Sequence, residues 1–276
     1  MMFTPTWYLL QQEGFLAQAC LCNGLTALRQ ANLGDNKGRF YPAFFQLSIG
    51  FERVLKLVLI LDHMANHELQ TPETKMIQKY QHRLCMLFDA TKSICTARGI
   101  TARDDLPDDS LPMVMLRFLN DFAHTEGRYS NINQLTKQGR QASTDPIARW
   151  GDIASQIMQT HAKPSERQRA KDAETAAEMA FGESAISLIS DLDQQSLDVA
   201  ALHARAAKLD IAAKYVVLAM VKLVTALREL VRSLCTCVWT AQRTTVSDIA
   251  LVPDMGEFLA FAWADKQYAM RKKRWP

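Results

Sequence analysis

Arg117, Asn120, Asp121 and His124 stand within the stretch RFLNDFAHT, three, four and seven residues apart counted from the arginine. On a helix that spacing lines one side, and seven residues rise about 10.5 Å. A phosphate fits between a long arginine and a histidine at that separation. The chemistry this would serve is transesterification of RNA without a metal. Histidine titrates near neutrality and can move a proton at the ribose 2′-hydroxyl or the leaving oxygen. Arginine would clamp the phosphate and hold the charge that develops on it. Asp121 would orient the imidazole, and Asn120 would hold a phosphate oxygen. The same residues also make the wet side of an ordinary amphipathic helix, with Arg117 and Asp121 paired one turn apart and His124 solvated. Sequence alone leaves both readings open.

A second group sits near the end of the chain. In KQYAMRKKRW, Lys266, Arg271, Lys272, Lys273 and Arg274 are interleaved with Tyr268 and Trp275. Cations would follow a phosphate backbone while the rings stack on bases. The alternative is a solvated, partly frayed terminus. Net charge is +3, compatible with nucleic-acid binding and not demanding it. His63 and His67 in HMANH have metal-ligand spacing, yet no glutamate follows His63 and no third ligand is evident, so no metal is expected. There is no G-x-x-x-x-G-K-[ST], G-x-G-x-x-G or G-x-S-x-G, which sets aside P-loop ATPases, Rossmann enzymes and α/β-hydrolases. No cofactor is expected.

The elements that must position these groups are helices. Only 11 glycines and 9 prolines occur in 276 residues, too few for the closely spaced turns of a sandwich or barrel. Helices are predicted over residues 8–31, 41–67, 72–97 with Thr71 as cap, a stretch after Ser110, a stretch ending near 161, 163–190, 197–239 and 256–271. Phe44 to Leu61 is apolar almost all round and predicts the central buried helix. In SLPMVMLRFLNDFAHT, Leu111, Met115, Phe118 and Phe122 make the apolar stripe opposite Arg117. Met220, Leu223, Leu227, Leu230 and Leu234 form another, expected to pack on the first half or to build a homodimer. Six cysteines with no C-x-x-C pair read as buried thiols in a reducing cytoplasm. No apolar run is long enough to span a bilayer, and the first residues lack the basic start of a signal peptide.

Three further features resemble one family. FYPAFFQLSIGFERVLKLVLIL carries Glu52, Arg53 and Lys56 on a buried helix; KYQHRL places His82 ahead of the next element; FLNDFAHTEGRYSN ends in Arg128-Tyr129. Over residues 40–136 the chain resembles the bacterial HEPN-like helical proteins (higher eukaryote and prokaryote nucleotide-binding domains). That resemblance implies an all-α multi-helix bundle, with a HEPN-like core at 1–136 and a helical extension at 145–276 packed on it, or one domain throughout. Many members share an arginine and a histidine separated by four to six residues, a ribonuclease motif completed across a dimer, and Arg117 and His124 fit that spacing. Phe118 stands where a polar residue usually follows the arginine. The resemblance implies RNA as substrate or ligand, a homodimer, a toxin or phage-defence setting with a cognate partner or antitoxin, and Arg128 and Tyr129 as phosphate or RNA contacts beside Lys272, Lys273 and Arg274. Other members serve as non-catalytic modules that bind a partner protein or a nucleotide.

Overall fold

The computed structural model describes residues 3–100, 107–124, 146–182, 186–190, 196–243 and 250–276. Its helices in chain order are α1 (Pro5–Gln30), α2 (Phe40–Asn66), α3 (Thr74–Gln78), α4 (Leu84–Ala97), α5 (Leu111–His124), α6 (Pro146–Thr160), α7 (Pro164–Phe181), α8 (Val199–Arg243) and α9 (Lys266–Arg271). A short antiparallel pair, β1 (Ile186–Ser190) and β2 (Ser196–Asp198), joins α7 to α8. The fold is an all-α multi-helix bundle. None of the described helices is long and apolar enough to cross a membrane.

Three predicted helices end early, each for a local reason. The helix expected over 72–97 is two: Glu73 is extended and starts α3 at Thr74, and Gln81, at φ +48°, turns the chain before α4. Thr71 therefore caps nothing. The helix expected to reach Ser190 stops at Phe181, where Gly182 takes φ +81°. The last predicted helix divides into a 3-10 segment at Glu257–Ala262 and α9. Asp265 restarts the chain as a cap, its carboxylate accepting the Tyr268 N–H at 2.9 Å.

As its composition requires, α2 is the centre, packed by α1, α4, α5 and α8. The antiparallel α1–α2 pair closes through two reciprocal notches. A Cβ on Gly24 would lie 2.7 Å from Leu47 Cγ and 2.9 Å from its backbone nitrogen. One on Gly50 would lie 2.7 Å from Leu21 Cγ and 3.0 Å from its nitrogen. Each glycine thus receives a leucine from the other helix, and the backbones approach closer than any side chain would permit.

The long α8 closes the bundle. Met220, Leu223, Leu227, Leu230 and Leu234 are all buried in the main apolar cluster, which runs from Leu10 to Trp275 and takes residues from both halves of the chain. That stripe packs inward and is not available for a homodimer. Arg29, at the end of α1, is buried against α8, donating to Asp210 Oδ1 at 3.2 Å and to the Asp210 carbonyl at 3.3 Å.

Two stability outcomes follow. Gly24→Ala and Gly50→Ala should each lower unfolding free energy by about 1–3 kcal/mol in urea, although alanine is the better helix former, because a methyl group forces the leucine out of its notch. Stability equal to or above wild type would contradict the close approach. Asp210→Ala should cost about 2 kcal/mol, below the fully buried case because Asp210 is half-exposed and its carbonyl still serves Arg29.

Candidate functional site

The amphipathic α5 forms as its spacing predicts. Met115, Leu116, Phe118, Leu119 and Phe122 are buried. Phe118 and Phe122 meet Phe44 of α2 at 4.7 and 5.8 Å between ring centroids, both edge to face. Phe118 therefore belongs to the core, which explains an apolar residue directly after Arg117. The opposite side of α5 faces the start of α4, and a single ion pair reaches α6.

That polar side braces neighbouring elements. Asn120 Oδ1 accepts the backbone N–H of Cys85 at 3.2 Å, satisfying one of the unpaired donors in the first turn of α4. The Asn120 amide donates to Asp121 Oδ1 at 3.2 Å, and Asp121 forms an ion pair with Arg149 of α6. Arg117 turns back to donate to the carbonyl of Asp108, ahead of its own helix. Arg117, Asn120 and Asp121 are thus brought together, each with an intramolecular partner. His124 is the final residue of α5 and its side chain lies outside the described residues, as do Arg128 and Tyr129.

Cys85 sits within this group. Burial pushes its thiol above the usual range, the Asp121 and Asp89 carboxylates push the same way, and Arg117 opposes them. A thiol so placed stays protonated at neutral pH and is a poor nucleophile.

Glu52 gathers two partners from different distances in sequence. Lys56 lies one turn along α2 and donates to Glu52 Oε1 at 2.6 Å, the pairing expected from spacing. His82, ahead of α4, meets Glu52 Oε2 through Nδ1 at 2.9 Å. Arg53 pairs with Glu13 of α1. His63 and His67 stack face to face with centroids 3.9 Å apart, and His67 Nδ1 faces the His63 carbonyl at 3.0 Å. Among the described residues no three His, Cys, Asp or Glu side chains converge as a metal site.

The C-terminal basic segment is docked rather than frayed. Trp275 is buried, and its backbone N–H donates to Thr26 Oγ1 of α1 at 2.8 Å. Its ring meets Phe261 edge to face at 6.1 Å. Lys272 lies over Tyr268 at 4.6 Å and over Trp275 at 5.0 Å, close enough to Cys22 for its charge to oppose the burial that raises that thiol to about 12. Lys266, Arg271, Lys273 and Arg274 are exposed, as is Tyr268. The sequence reading left Trp275 to solvent or to a stacked base, and the structure buries it instead. A large apolar ring directly after four cations was the signal for docking. Lys272 correspondingly holds the two rings in place, and Lys273 and Arg274 present their charge outward.

What fold and site define is a helical bundle with a structurally engaged polar stripe on α5 and a fixed cationic edge beside α1. No family model, no curated protein and no solved structure matches the chain.

Asn120→Ala should cost about 1 kcal/mol in unfolding free energy, the loss of a helix cap. Increased amide hydrogen exchange at Cys85 would report the freed donor. Unchanged exchange there would contradict the capping role.

Proposed function

We propose that this chain is a HEPN-like helical protein of the cytoplasm that binds RNA through the phosphates, using the docked C-terminal edge. The observation that carries the reading is the seating of Trp275 against Thr26, which holds Arg271, Lys273 and Arg274 at fixed places on the surface. A fixed set of cations loses less conformational freedom on binding than a loose tail does. Exposed Tyr268 beside them supplies a face on which an unpaired base can stack. The family resemblance through Glu52, Arg53, Lys56, His82 and Arg128-Tyr129 supports RNA over other polyanions.

The test is fluorescence anisotropy with a labelled single-stranded RNA across a salt series. Lys273→Ala/Arg274→Ala should weaken binding about tenfold near physiological salt and reduce the log–log salt slope by roughly 1.4, at about 0.7 per lost phosphate contact. Trp275→Ala removes no charge yet should also weaken binding, because it releases the segment. Wild-type affinity in both variants would overturn the reading.

A second reading is metal-independent cleavage of RNA at α5, in the toxin or phage-defence setting the resemblance implies. It is favoured by one observation: Arg117, Asn120 and Asp121 share one side of the helix that His124 ends. Their bonds to Cys85, Arg149 and Asp108 count in the other direction, since a phosphate would have to displace some of them. Incubation of wild-type and His124→Ala protein with total RNA in the presence of chelator decides it. Cleavage by wild type alone supports the reading; equal cleavage by both, or none by either, removes it.

A further inference from the structure

A cleft of about 650 Å³ opens between the ends of α2 and α4 and the later turns of α8. That volume lies within the range of small-molecule sites. The end of α4 builds one wall. Arg98 follows its last residue, and Gly99 takes φ +61°, a turn that glycine makes without strain. The Gly99 N–H donates to the Thr96 carbonyl at 3.2 Å, and the Ile100 N–H donates to the Cys95 carbonyl at 3.0 Å. This closure brings Ile100 back to line the cleft with Ile94 and Ala97, an aliphatic wall next to Arg98.

Charge enters the cleft as one acid and one base. Arg98 Nε donates to Asp62 Oδ1 at 2.6 Å, and Nη2 donates to the Asp62 carbonyl at 3.3 Å. The guanidinium is thereby oriented, yet both groups keep bonding capacity. Asp62 Oδ2 and Arg98 Nη1 have no hydrogen-bond partner among the described residues. The same holds for the Asn66 amide and the Ser233 hydroxyl, which line the cleft from α2 and α8. Only 18% of the Arg98 side chain and 23% of the Asp62 side chain are exposed, so a ligand bonds to them partly out of water.

We propose that this cleft binds a free α-amino acid with an apolar side chain. Such a molecule carries an ammonium and a carboxylate on one carbon, and needs a base and an acid held in contact. Asp62 Oδ2 accepts from the ammonium, and Arg98 Nη1 donates to the carboxylate with Ser233 and Asn66 beside it. The side chain then lies along Ile94, Ala97 and Ile100. A zwitterion also leaves the cleft's balance of one positive and one negative group unchanged. A phosphate fits poorly, because Asp62 and the partial negative charge at the ends of α2 and α4 repel a dianion. An ion pair that only tied α4 to α2 would need neither the open volume beside it nor the unpaired groups of Asn66 and Ser233.

None of residues 266–276 and none of the polar residues of α5 line this cleft, so the proposal goes beyond the RNA reading and neither needs the other.

Isothermal titration calorimetry of the full chain with L-leucine, L-methionine and L-phenylalanine at millimolar concentration tests it, without RNA. At least one should bind. The matching amine without the carboxylate, and the matching acid without the amine, should each bind about tenfold more weakly or worse. Arg98→Gln should weaken binding by a similar factor. Ala97→Trp is the second variant: it starts from an exposed position, fills the cleft without touching the ion pair, and should abolish binding while melting temperature holds. Alkylation by iodoacetamide, read by peptide mass spectrometry, places the ligand: binding should slow it at Cys237, which lines the cleft, and leave it unchanged at Cys20, which does not. No binding of any of the three amino acids, equal binding of the partial analogues, or wild-type affinity in Ala97→Trp would overturn the proposal.

Discussion

The close approach of α1 and α2 through Gly24 and Gly50 is the constraint on which the rest of the molecule depends. It lets Leu21 and Leu47 enter the opposing helix and brings two long helices together with little space between them. With one side of α2 sealed in this way, its remaining sides are left for α4, α5 and α8. The same contact fixes what α1 presents outward: an uncharged face along most of its length, and the Thr26 hydroxyl that receives the end of the chain. A looser crossing would shift Thr26 and Arg29, and with them the C-terminal edge and the tie to α8.

The polar groups fall into two kinds once their partners are known. Those of α5 look inward to neighbouring elements. Asn120 completes the first turn of α4, Asp121 holds α6 through Arg149, and Arg117 closes the turn before its helix. Those of the last ten residues look outward, with Trp275 as their anchor. Chemistry that needs outward-facing cations held at fixed places is better served by the second group. Glu52, shared by Lys56 and His82, belongs with the first, tying the segment before α4 to the central helix.

Much of the fold was legible from residue spacing. The all-round apolar run of α2, the Leu111–Phe122 stripe of α5 and the Met220–Leu234 stripe of α8 all lie where their periodicity put them, because burial of a regular stripe is decided locally. The breaks were less legible. Gln81 and Trp263 interrupt otherwise helical sequence, and neither is a glycine or proline. The candidate site was legible only as a list. Spacing placed Arg117, Asn120 and Asp121 on one side, but their partners, Asp108, Cys85 and Arg149, come from three other segments. His82 reaches Glu52 across 30 residues, and Trp275 reaches Thr26 across 249. Such pairings depend on how helices pack, which no local pattern encodes.

RNA seated on the docked C-terminal edge, as proposed, would leave the stripe of α5 untouched. Ultraviolet cross-linking of wild-type protein to uridine-rich RNA, with the modified peptide identified by mass spectrometry, tests it most directly. Adducts are expected on the peptide that contains Tyr268. Adducts confined to residues 111–124, or none at an RNA concentration that saturates binding, would contradict it.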